Sequence, residues 1–88
     1  MSFQLRVGPA AQKKLEKLDR PTRERLIRRL RQLAADPFDP RIGKLLKGGR
    51  KLRSSRVGNW RIIYAVRTEE RAVCVLSVNP RGEAYRNL

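Results

Sequence analysis

Trp60-Arg-Ile-Ile-Tyr-Ala-Val66, followed by Thr68-Glu-Glu-Arg71 and then Ala72-Val-Cys-Val-Leu-Ser-Val78, is the stretch that decides the fold. Aromatic and β-branched residues dominate both apolar runs, and the four residues between them are polar, which reads as two antiparallel strands joined by a turn. Both runs are apolar on both parities, so this hairpin needs cover on two faces, not one. Upstream, Leu52 to Val57 reads as a weaker strand joined to the first through Gly58-Asn59. At the N-terminus Phe3, Leu5 and Val7 alternate with Gln4 and Arg6, a strand from Ser2 to Val7 that Gly8-Pro9 stops.

Two helices fit between these strands. Pro9 suits a first helical turn, where its missing N–H is not needed, and Ala11, Leu15 and Leu18 follow at helical spacing. Asp19 can cap a second helix with Pro21 in its first turn, and Leu26, Ile27, Leu30, Leu33 and Ala34 form its apolar stripe until Asp36-Pro37 breaks it. Arg25, Arg28 and Arg29 fall on the outer side. Pro37 to Gly49, with its prolines and glycines, reads as a loop or irregular turn. The expected order is β-α-α-β-β-β. It describes an α+β fold in which an N-terminal helical hairpin packs on a mostly antiparallel sheet, as one domain over residues 1–88.

Charge narrows the function. The 88 residues hold 22 Lys and Arg against 8 Asp and Glu, a formal net charge of +14, and that self-repulsion asks for a polyanion or an acidic protein as partner. No apolar run approaches the roughly 20 residues of a spanning helix, and Met1-Ser-Phe-Gln-Leu-Arg6 has no signal-peptide core, so the chain reads as cytoplasmic without a membrane partner. Cys74 is the only cysteine and there is no histidine, which leaves no internal disulfide, no ordinary zinc site and no imidazole acid/base chemistry. No metal and no cofactor are expected. Catalysis, if present, falls to Lys, Arg, Tyr or the few carboxylates.

Between Asp39 and Glu69 there is no acidic residue, while Arg41, Lys44, Lys47, Arg50, Lys51, Arg53, Arg56, Arg61 and Arg67 supply nine cations. A block of one sign is an electrostatic footprint for phosphate. Lys44, Lys47, Lys51, Arg53 and Arg56 are the candidate RNA-binding residues. Trp60 and Tyr64 share a strand parity and read as core, whereas Tyr85 lies in the tail near Glu83 and Arg81.

Arg56-Val-Gly-Asn-Trp-Arg-Ile-Ile-Tyr64 closely resembles the Arg-Val-Gly-Asp-Tyr-Arg-Val-Ile-Tyr segment of the RelE/ParE toxin superfamily. Three further features agree with it: Leu33 before the Pro37 break, the Lys44-Leu-Leu-Lys-Gly48 element, and the Asn79-Pro-Arg-Gly-Glu-Ala-Tyr85 ending, which is similar to the family's Gly-His-Arg-x-x-x-Tyr. The resemblance spans essentially the whole chain. It implies a toxin of a type II toxin-antitoxin system, cleavage of mRNA in the ribosomal A site, and neutralisation by an acidic, RelB-like antitoxin. By the same resemblance Arg61 matches the arginine that stabilises the transition-state phosphate, Arg81 the one near the leaving 5′-oxygen, and Tyr85 the tyrosine that activates the 2′-hydroxyl.

These three form the candidate catalytic set. Attack of a 2′-oxygen on its own 3′-phosphate needs a base and charge stabilisation, and arginine, which stays protonated, supplies only the second. Tyr85 or a lysine is left as the base, and neighbouring cations would favour a phenolate. The RNA-cleaving members often carry lysines on the strand before the Arg-Val-Gly element, and here the matching positions are Leu52 and Ser54. The motif does not separate an mRNA endonuclease from a ParE-like gyrase-inhibiting toxin, and a non-catalytic basic RNA- or ribosome-binding module stays open beside them.

Overall fold

The computed structural model describes residues 2–48 and 51–80. Arg81 and Tyr85 lie outside the described residues. Strand β1 (Gln4–Val7) leads into helices α1 (Pro9–Lys17) and α2 (Arg20–Ala35), followed by strands β2 (Lys44–Leu45), β3 (Leu52–Val57), β4 (Trp60–Arg67) and β5 (Ala72–Pro80). The five strands form one sheet in the order β1-β5-β4-β3-β2. All neighbours run antiparallel except β1, which lies parallel to β5. A helical hairpin on a mostly antiparallel sheet matches the expected α+β architecture, with one addition. The segment read as an unpaired loop contains β2, whose Lys44 and Leu45 pair with Ser54 and Arg53. Two residues carry no periodicity of their own, so only the partner strand defines them.

Local chemistry explains the boundaries. Strand β1 starts two residues later than expected, because the Phe3 N–H donates to the Ala34 carbonyl at the end of α2 (2.6 Å) and not to a strand. Asp19 caps α2 by accepting from the Thr22 N–H at 3.2 Å and from its hydroxyl at 3.0 Å. Arg23, one turn into α2, donates to the Leu15 and Leu18 carbonyls at 3.1 and 2.8 Å, the first of which also accepts from the Leu18 N–H at the end of α1. That clamp sets the two helices side by side. Between β3 and β4, Val57 faces Trp60, leaving a two-residue turn in which Gly58 adopts φ +59°, as the first position of a type II′ hairpin turn requires.

Leu26, Leu30 and Leu33 of α2 and Ala11 and Leu15 of α1 pack on Val57, Ile62, Tyr64, Val73, Val75 and Val78 of the sheet. Register slips between Ile63 and Tyr64: Ile63 faces Ser77 and Tyr64 faces Val75, so Leu76 bulges out of β5 and Val75 and Val78 both reach the core. Strand alternation puts Arg61 and Ile63 on the face away from the helices, where Ile63 is nevertheless fully buried. The doubly apolar pattern of the hairpin thus has a counterpart in two-sided burial of β4. Among the described residues no helix is long and apolar enough to cross a membrane.

Candidate nucleic-acid interface

The cationic site lies on the face of the sheet away from the helices and wraps around the edge of β3 that β2 leaves unpaired, where α2 comes within reach. Arg56 on β3 stands opposite Arg61 on β4, and Lys44 on β2 stands opposite Ser54 on β3. Residues directly paired across strands point to the same side, so Lys44, Ser54, Arg56 and Arg61 share one surface. Placing two like charges directly opposite each other costs stability, a cost that a bound anion would reverse. A cleft of about 240 Å³ opens here, lined by Arg29, Arg41, Lys44, Arg56 and Arg61 together with Ser54 and the backbone turn from Pro40 to Gly43. Among the described residues its lining contains five cations and no carboxylate, and one of the five, Arg41, is paired with Asp39 just behind the wall.

Each wall has a physical origin. The turn after α2 is held from below by Tyr64, fully buried, whose hydroxyl donates to the Pro37 carbonyl at 3.4 Å. A methyl group at Gly43 would collide with that hydroxyl, which is why the turn passes over Tyr64 at a glycine. Asp39 organises the rest: its carbonyl accepts from the Ile42 and Gly43 N–H groups, both at 3.2 Å, and its carboxylate accepts from Arg41 through the backbone N–H (2.9 Å), Nε (3.1 Å) and Nη2 (2.9 Å). Arg41 holds the Asp39 carboxyl below the usual aspartate range, chiefly through those hydrogen bonds. The opposite wall comes from α2, where Arg29 reaches the sheet with Nη1 on Ser55 Oγ at 2.9 Å and on the Arg56 carbonyl at 2.8 Å.

The structure thus brings together Arg61, Arg56 and Lys44 from the candidates named above. Lys47 and Lys51 are exposed beside the site, at the end of β2 and the start of β3, and neither lines the cleft. Arg53 is elsewhere. It pairs with Tyr64, points to the helix side, and lays its guanidinium over the Phe38 ring with its central carbon 5.4 Å from the centroid. Ser54, where the resemblance leads one to expect a lysine, lines the cleft, and Leu52 shares its face. Arg29, on the outer side of α2 by its sequence position, instead builds a wall. The signal was present in its spacing, since Arg29 follows Leu26 by three residues and precedes Leu33 by four, on the flank of the apolar stripe.

The model of the ParE toxin family, toxins of the type II toxin-antitoxin system parDE, matches residues 5–85. No curated protein matches the sequence. Among solved structures the chain is similar to a toxin-antitoxin complex, RelBE2 from Mycobacterium tuberculosis, at 25% identity over 92% of this chain and 93% of that one, with a TM-score of 0.80. It is also similar to the intact E. coli RelBE complex, at 26% identity over 90% and 96% of the two chains and a TM-score of 0.77. The archaeal RelE-RelB complex from Pyrococcus horikoshii shares the fold at 24% identity, 96% and 100% coverage and a TM-score of 0.80.

Proposed function

The chain belongs to the RelE/ParE superfamily, the toxins of type II toxin-antitoxin systems, and from that premise we propose that it arrests translation by cutting mRNA in the ribosomal A site and is neutralised by an acidic antitoxin. The observation that carries this reading is the Arg56–Arg61 pair inside a cleft whose described lining holds five cations and no carboxylate. Such a site holds a phosphodiester and stabilises the charge that grows on its oxygens during displacement. The reaction is an internal transesterification. The 2′-oxygen bonds to the adjacent phosphorus, the bond to the 5′-oxygen breaks, and a 2′,3′-cyclic phosphate and a free 5′-hydroxyl result. Arg61 would stabilise the phosphorane oxygens, Lys44 and Arg56 would hold the flanking phosphates, and by resemblance Tyr85 takes the 2′ proton while Arg81 stands by the departing 5′-oxygen, which takes its proton from solvent. No metal or cofactor enters this scheme.

A second reading has its own support. The matching family model is that of ParE, and Ser54 occupies a cleft position where an RNA-cleaving relative would carry a lysine. One induction experiment separates the two. Toe-printing on translating ribosomes after expression should reveal new mRNA ends inside reading frames; intact mRNA with accumulated gyrase-DNA breaks would overturn the nuclease reading in favour of gyrase inhibition.

A further inference from the structure

Phe38 and Leu45 are large apolar side chains left 48% and 59% exposed, and both adjoin Arg53. Leu45 is its partner in the β2–β3 ladder, on the same face, and Phe38 lies under its guanidinium. The Phe38 backbone is pinned, its N–H donating to Asp36 Oδ1 at 3.1 Å, and the ring meets the Phe3 ring edge to face at 6.4 Å. Among the described residues Arg53 Nε is buried with no hydrogen-bond partner, and the guanidinium rests on the Phe38 ring. An exposed, preorganised aromatic with an arginine on it is a surface for a π-face, not for a folded core.

Its position says which π-face. Strand β2 is the edge of the sheet, and its two residues point opposite ways, Lys44 into the cationic cleft and Leu45 toward Arg53 and Phe38. Phe38 and Arg41 stand three residues apart in one turn, within about 11 Å even if fully extended. A strand whose phosphates occupy the cleft and then cross the β2 edge carries its next base onto this surface. Resting on the RNA reading of the cleft, we propose that Phe38, with Arg53 and Leu45, is a stacking platform for an unpaired base of single-stranded RNA leaving the site. Stacking on an aromatic side chain is tolerant of base identity, so the platform adds affinity and register without a sequence code.

The test uses the full chain and two uncleavable oligonucleotides, a 2′-O-methyl RNA and the same backbone with abasic positions. The protein should bind the base-bearing strand about tenfold more tightly. Phe38→Ala and Phe38→Leu should both lose that preference while retaining the salt dependence, and Phe38→Trp should restore it. The leucine variant preserves apolar packing on Phe3, so loss in both separates stacking from folding. Equal binding of the two strands by the unaltered protein, or a preference that survives in Phe38→Leu, overturns the platform. So does a Phe38→Ala protein that binds RNA normally but has lost an acidic protein partner, which would make the surface a protein interface. Failure of the cleft reading looks different: Arg56→Ala would then leave binding of both strands unchanged.

Discussion

Gly43 and Tyr64 illustrate how one missing methyl group can shape a binding site. The Tyr64 hydroxyl supports the Pro37 carbonyl from within the core, and the turn carrying Arg41 and Lys44 clears it only because residue 43 has no Cβ. Gly43→Ala should therefore push the cleft wall outward and destabilise by about 2 kcal/mol, as overpacking does. Tyr64→Phe removes the colliding oxygen and leaves a ring carbon 3.2 Å from the added methyl, a tight but tolerable contact. The double variant should be more stable than the sum of the single effects by about 1 kcal/mol. Strict additivity in chemical denaturation would show that the two residues do not hold the wall together. Arg61 tests the chemistry at the same scale. Arg61→Ala should lower single-turnover cleavage by about a hundredfold or more, the usual cost of removing a transition-state charge partner, while the far-UV spectrum stays unchanged. Cleavage at the parental rate would move the reaction away from this face.

At the scale of the element, α2 presents neighbouring arginines to different surroundings. Arg28 is exposed, whereas Arg29 ties the helix to β3 through Ser55 and the Arg56 carbonyl. Arg29→Ala should cost about 1 kcal/mol of stability, since both bonds are charge-assisted but one is only part-buried and the other exposed, and should weaken RNA binding by loosening the Arg56 strand. Arg28→Ala should be nearly silent in both assays. Equal losses from the two substitutions would mean that the whole helix face is a diffuse cationic surface and that the wall formed by Arg29 has no special place. On β3 the alternation of side chains is just as decisive. It sends Arg56 into the cleft with Arg61 and Arg53 to the Phe38 surface, although the two arginines are only three residues apart.

For the whole molecule, the charge of +14 and its concentration between residues 40 and 68 set the behaviour toward partners. Arg41 is already paired with Asp39, so if the other four cleft cations each meet a phosphate, the logarithm of RNA affinity should fall with the logarithm of salt concentration with a slope of roughly −2.8. A slope near zero would point to a neutral ligand. The same field favours an acidic partner that folds as it binds, and its complex should survive size exclusion and relieve growth arrest on co-expression. A protein that elutes alone beside a co-expressed acidic antitoxin candidate, with arrest unrelieved, would leave the antitoxin expectation unsupported.

The amino-acid pattern alone determined the helical hairpin, the three long C-terminal strands, the sign of the protein's own charge and the Arg56–Tyr64 motif, because periodicity, capping residues and composition are local properties of the chain. It also determined that β4 needs cover on both faces, and Ile63 is buried there on the side away from the helices. Tertiary structure alone decided which cations meet. Lys44 and Leu45 become a strand only on β3, Arg29 becomes a wall only where α2 passes Ser55, and Arg53 leaves the cationic row because its register partner is the core residue Tyr64. Each of these depends on strand pairing or helix placement between residues far apart in the chain. A one-residue change of register would turn every β3 side chain to the other face without altering a single letter of the sequence.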